Sequence, residues 1–186
     1  MSRLKAISPE SATGKAQELL QAANSKFGMA PNMMRTMANS PAVLEGYFNL
    51  SGSLNTGKLS AKVREQLALA VAEANHCEYC LAAHSAVGRM VGLTTDQIRD
   101  SRLGTAVDAK TDALIQFARL VVESRGRVSD SDLAVVREAG FDDGTISEVV
   151  AHVALSIFTN YFNNVAATEV DFPRAAALIP ESAATE

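Results

Sequence analysis

Residues 73–84 read Glu73-Ala74-Asn75-His76-Cys77-Glu78-Tyr79-Cys80-Leu81-Ala82-Ala83-His84, and the rest of the chain is understood from this stretch outward. One helical pattern ends near Asn75, and a second opens at Cys77 and runs to about Val91, with Gly92 at the position of a left-handed C-terminal glycine. At about 100° per residue, Cys80 lies about 60° from Cys77 on such a helix and His84 about 20° from it, so both thiols and the imidazole share one face. The Cys-x-x-Cys spacing lets the two sulfurs close a small disulfide ring. At a helix start the dipole favours thiolate over thiol. His84, one turn past Cys80, is placed to hold a thiolate or take its proton. Such a dithiol can reduce a substrate and be left as a disulfide with no bound cofactor.

The pattern on either side is helical too. Ser8-Pro9 is read as the start of a first helix, and Ala30-Pro31 leads into a short piece carrying Met33, Met34 and Met37. Ser40-Pro41 pairs an N-cap with a first-turn proline and opens a helix to about Asn55. Ser60 caps the next, whose Val63, Leu67 and Ala70 make an apolar stripe. Thr94 and Gln97 have capping-box spacing. Further helices run from about Asp108 to Arg125 and from Ser129 to near Gly140. The last, from about Asp143 to Thr168, is apolar on most sides and is expected to be buried inside the domain or in a subunit contact. The Gly/Thr/Asp-rich stretch 102–110 reads as a loop. Alternating β-branched runs are scarce, so the fold class is all-α. We expect a single domain over 1–186, with a core of about 10–173 and a loose tail of about 174–186.

A chain of 186 residues buries a core without disulfide or metal staples. With 47% hydrophobic and 20% charged residues it falls among ordinary globular proteins. A net charge of −4 and no Lys/Arg cluster argue against a nucleic-acid partner. No run reaches the ~20 apolar residues of a membrane span. The N-terminal residues lack the apolar core of a signal peptide, so a reducing, cytoplasmic location is expected. Cys77 and Cys80 are the only cysteines, which excludes a disulfide framework and leaves a reactive or metal-binding pair.

A zinc site from Cys77, Cys80, His84 and an acidic fourth ligand is one alternative. Against it, no second Cys-x-x-Cys or His pair exists to complete the usual structural set. The redox reading leads, with neither cofactor nor metal. Glu65, Glu73 and Glu78 are the nearby acids. Glu65 stands three turns before Cys77, and if its helix packs on the Cys helix its carboxylate can reach His84 from the side and raise the ring's basicity.

Glu65, eleven residues, Cys77-Glu-Tyr-Cys80, three residues, His84: this pattern resembles the AhpD-like, or carboxymuconolactone decarboxylase-like, superfamily, in its alkylhydroperoxidase (peroxidase-related) branch. The flank Leu59-Ser-Ala-Lys-Val-Arg-Glu65 and the late run from Asn160 to Pro173 share the likeness. The resemblance implies an all-helical homo-oligomer, as dimer, trimer or hexamer, that reduces hydrogen peroxide or organic hydroperoxides. It implies Cys80 as attacking thiolate, Cys77 as resolving thiol, and His84 with Glu65 as proton relay. The disulfide would be recycled by a thiol or by a dihydrolipoyl- or thioredoxin-type protein. Tyr79 departs from well-studied AhpD proteins, which carry His there, and a phenol cannot act as base near neutral pH. His76 is read as a surface or helix-capping residue, and His152 as a hydrogen-bonded core histidine. The alternatives are a lyase of the decarboxylase branch, which lacks the Cys-x-x-Cys pair, and a non-enzymatic redox-sensing or zinc-binding module.

Overall fold

The computed structural model describes residues 2–178. Among them the chain forms α1 (Gly14–Phe27), α2 (Asn32–Met37), α3 (Pro41–Leu54), α4 (Ala61–Ala74), α5 (Glu78–Met90), α6 (Thr95–Leu103), α7 (Ala109–Glu123), α8 (Asp130–Glu138) and α9 (Asp143–Ala166), with no strand. Local chemistry sets the boundaries. Ser60 Oγ accepts from the Val63 N–H at 3.3 Å, Thr94 and Gln97 close a reciprocal capping box, and Gly92 takes φ +88°. The first helix begins at Gly14 rather than at Ser8-Pro9. The Ser8 carbonyl accepts from the Ser11 and Ala12 N–H groups in a turn, and the extended Thr13 then resets the chain.

The centre of the fold is α4. Seven consecutive residues, Gln66–Ala72, are buried, and the helix packs on α5, α6, α7 and α9. Ala68, Ala70 and Ala72 let neighbours approach on several sides at once. Leu69 and Ala72 join the core made with α1, α2, α3 and α5, which also takes Met33, Met34 and Met37. Leu67, Ala70 and Val71 join a second core with Leu114, Ile115 and Phe117 of α7 and Val149 and Val153 of α9. Each large aliphatic side chain so buried contributes roughly 1.5–3 kcal/mol before chain entropy is counted.

Of the two expectations for the last helix, burial inside the domain does not hold on its outer face. Its inner face is apolar only at first, through Ile146, Val149 and Val153. Beyond that it turns His152, Ser156, Thr159, Asn160 and Asn163 inward. Val150, Phe158, Tyr161 and Val165 face outward and are exposed. The inversion has a cause: the second half of α9 runs past the start of α5, where the polar chemistry lies, while its apolar residues form an outer stripe.

The joint between α4 and α5 is three residues long, Asn75 to Cys77. His76 takes φ +50°, and the N–H groups of His76 and Cys77 donate to the carbonyls of Glu73 and Ala72, both at 3.0 Å. This is a Schellman closure with a histidine where glycine is usual. The same Cys77 is the N-cap of α5, its sulfur accepting from the Cys80 N–H at 3.4 Å. The chain after α9 is tied across the joint. Asp171 Oδ2 accepts from the Asn32 N–H at 2.7 Å, Phe172 sets its ring edge-on to Tyr79, and Arg102, paired with Glu73, donates to the Ala176 carbonyl. The tail expected to be loose is thus anchored as far as Ala176, and residues 179–186 lie outside the described residues.

His76 is exposed, so its place at a left-handed position is a matter of backbone alone. His76→Val should lower stability by about 1–2 kcal/mol, because a β-branched residue resists that conformation, whereas His76→Gly should not lower it. Urea unfolding of the two variants is the check; equal losses would mean the imidazole itself holds the joint.

Candidate active site

Four side chains singled out by the sequence lie on α4 and the start of α5. Glu65 sits in the second turn of α4, Cys77 caps α5, Cys80 is three residues into it, and His84 follows one turn later. Because α4 and α5 pack side by side, Glu65 Oε2 meets His84 Nδ1 at 2.8 Å. The two sulfurs are free thiols, Cys77 wholly buried and Cys80 only 2% exposed. His84 and Glu65 are the more open end of the group, their side chains 29% and 17% exposed.

The two thiols ionise very differently. Cys80 is pulled down to about 6, first by the hydrogen bond it accepts from the Cys77 thiol. Burial opposes this, but the charge of His84 and the amide groups of Asn163 and Asn160 outweigh it. Cys77 is pushed far up, since it donates that hydrogen bond, is desolvated and feels the negative charge of Cys80. The pair gives up its first proton readily, with Cys80 favoured as the sulfur that loses it and Cys77 as the one that keeps its own. For His84, burial alone disfavours the imidazolium; the Glu65 carboxylate, by charge and hydrogen bond, and then the Cys80 thiolate overcome it, so the ring stays protonated above its ordinary range. The site thus joins a buried thiol favoured to ionise with an imidazole favoured to stay protonated, each charge favouring the other.

Tyr79, between the cysteines, points away from this chemistry. Its hydroxyl oxygen accepts from the Met33 N–H at 3.2 Å, its ring packs on Phe172, and burial above all raises its ionisation. It fastens α5 to α2 and to the chain after α9. His152 is buried as expected, but its Nε2 has no hydrogen-bond partner, and burial, followed by the charge of Arg64, lowers its basicity. Among the described residues, no group of three or more His, Cys, Asp or Glu side chains is arranged to hold a metal ion. Two surface clefts lie elsewhere, about 370 Å³ between α7 and α8 and about 450 Å³ beside Lys5 and Arg35.

Residues 41–123, from α3 through α7, match the model of the carboxymuconolactone decarboxylase family, and all four site residues fall inside that span. The structure also superposes on an alkylhydroperoxidase AhpD core, an uncharacterized peroxidase-related protein from Ralstonia eutropha JMP134, with a TM-score of 0.81 and 25% identity over 91% of this chain and 92% of that one. The AhpD-like resemblance holds. An uncharacterized peroxidase-related protein from Silicibacter sp. TM1040 shares the fold, with a TM-score of 0.77 at 23% identity over 90% and 92% of the two chains. The debrominase Bmp8 shares the fold, with a TM-score of 0.77 at 15% identity over 91% and 92%. No curated protein matches the chain. Among the described residues no helix is long and apolar enough to cross a membrane.

Sequence reasoning did not give roles at this site to Asn163, whose Nδ2 donates to Cys80 Sγ at 3.3 Å, or to Tyr47, a half-buried phenol pushed up to about 12 by burial and by the nearby Cys80 and Glu65. The run of asparagines in α9 was a usable signal, because buried amides need partners. Nothing around Tyr47 singled it out.

The folded-state pKa of His84 lies above its unfolded value of about 6.5, so the pair contributes stability that is full below that pH and is lost as pH rises through the folded value. Glu65→Gln should lower the His84 titration midpoint and should destabilise the protein more at about pH 5.5 than at about pH 8.5. Ring-proton NMR of His84 and urea unfolding at both pH values test this; equal losses with an unmoved midpoint would mean the carboxylate carries no charge into the pair.

Proposed function

We propose that the protein is a dithiol hydroperoxide reductase. The observation that carries this reading is a pair of buried thiols at the start of α5 with His84 one turn on, its ring held by the Glu65 carboxylate at 2.8 Å. The fold by itself does not choose, since it also serves a debrominase.

In this reading the Cys80 thiolate attacks the outer oxygen of a hydroperoxide. An S–O bond forms as the O–O bond breaks, and the alkoxide or hydroxide leaves with the proton of His84. Cys80 is now a sulfenic acid. Cys77 attacks its sulfur, water departs, and the Cys77–Cys80 disulfide remains. Glu65 holds the ring through the 2.8 Å contact, and His84 regains its proton from the external dithiol in the step that follows. An external dithiol, of the dihydrolipoyl or thioredoxin type, then reduces the disulfide by exchange. The exposed stripe Val150, Phe158, Tyr161 and Val165 supports a homo-oligomeric state, since apolar residues aligned on one face mark a contact surface.

The reaction needs Cys80 deprotonated and His84 protonated, which sets the pH profile. The rate should rise with pH through about 6 and fall again as His84 loses its raised-pKa proton. Stopped-flow consumption of one equivalent of hydroperoxide, with a free-thiol count before and after, tests the reading. Both thiols should disappear and return with dithiothreitol. Cys80→Ser should abolish turnover, Cys77→Ser should stop at the sulfenic acid, and Glu65→Gln should slow turnover by about 10²-fold or more. Two thiols that remain free would end the hydroperoxide reading.

A further inference from the structure

Cys77 and Cys80 both sit at the positive end of α5, and Cys77 holds the N-cap place, which by itself would make it the thiolate. Besides Cys77 and His84, a further distinction between the two sulfurs comes from another helix. Asn160 and Asn163 stand one turn apart on the inner face of α9, 0% and 3% exposed. Asn163 donates from Nδ2 to Cys80 Sγ at 3.3 Å, and its Oδ1 is buried with no partner. Asn160 is oriented by Asn75, whose Nδ2 donates to Asn160 Oδ1 at 2.9 Å. That leaves the Asn160 amide with only donors to offer. They make no well-formed hydrogen bond, yet they lie near enough to Cys80 to favour its ionisation. The arrangement is fixed from behind, since Asn164 Nδ2 donates to the Asn75 carbonyl at 3.0 Å. Three asparagines of one helix thus close on the α4–α5 joint and on one sulfur. Buried amides left with orphan atoms are unfavourable for folding, and these orphans cluster around the reacting atom.

We propose that Asn163 and Asn160, locked in orientation by Asn75 and Asn164, form an amide cradle that adds to His84 in favouring negative charge on Cys80 over Cys77 and poises the Cys77–Cys80 couple toward its reduced form. Donors aimed at a sulfur stabilise the thiolate and have much less to offer a neutral disulfide. The cradle therefore favours the dithiol and makes the disulfide easier for a partner dithiol to open. Asn163 touches the reacting atom. Asn160 assists it, and Asn75 and Asn164 are positioning residues. The inference deepens the dithiol reading and is independent of which oxidant the thiolate meets.

The test uses the full-length protein with Asn163→Ala and the equal-sized Asn163→Asp, which replaces the donor with an acceptor. Thiolate ultraviolet absorbance is followed against pH, and the disulfide is equilibrated with dithiothreitol buffers. Asn163→Ala should raise the first thiol ionisation by about one unit, a tenfold loss of thiolate at acidic pH. It should also shift the exchange equilibrium about tenfold toward disulfide, or ~30 mV more negative. Asn163→Asp should move both further. A purely structural asparagine would lower stability and leave both readouts unchanged in folded protein, which would overturn the proposal. If the variants do not fold, the unaltered protein still decides. Its Asn163 side-chain amide resonances should shift with the first thiol ionisation and again on oxidation, and resonances that track neither would overturn it. Neither readout involves a hydroperoxide. A shifted midpoint without peroxide turnover would leave the cradle standing and remove only the proposed substrate.

Discussion

A negative charge on a sulfur that is almost sealed from water is the condition to which the rest of this structure answers. In bulk water a thiolate is solvated at little cost; in a dry interior every compensating group must be supplied by the protein. Here the compensation comes from three directions: the Cys77 thiol along α5, the His84–Glu65 pair shared between α5 and α4, and the amide of Asn163 on α9. Each direction requires two helices to be locked in relative position. The burial of α4 on nearly all sides serves that end, because a helix packed by α5, α6, α7 and α9 cannot rotate to move Glu65 away from the imidazole.

The parts of this design legible in the sequence are those written within a single helix or one helical joint. The common face of Cys77, Cys80 and His84 follows from helical period alone, and the start of α4 at Ser60 and the capping box at Thr94 follow from local hydrogen-bond chemistry. The meeting of Glu65 with His84 was conditional on packing, and the structure supplies that packing. What escaped was whatever depends on which face of a helix looks inward. α9 has enough apolar residues to suggest full burial, but hydropathy counts residues without knowing what the neighbouring helix presents. Facing the sulfur, Asn160 and Asn163 are worth more inside than Phe158 or Tyr161. Likewise α4, whose alanines give it a weak apolar stripe, is the true centre because small side chains permit close approach all round.

Tyr79 illustrates how a departure within a motif is absorbed. A residue between two reacting cysteines invites a chemical role, yet its ring is turned to the opposite side of α5, where it accepts the Met33 N–H and packs on Phe172. The residue between the cysteines thus connects the site to the chain that follows α9. Reactive chemistry and mechanical attachment occupy opposite faces of the same turn.

The short joint from Asn75 to Cys77 carries an implication for how such a chain can tolerate change. Cys77 finishes the closure of one helix and begins the capping of the next, so there is no slack between Glu65 and the cysteines. One residue gained or lost within those eleven would turn everything downstream by about 100° and slide it by about 1.5 Å, parting the carboxylate from the imidazole. The interval is a phase relation between two helices. Its length therefore matters to the site as much as the cysteines themselves do.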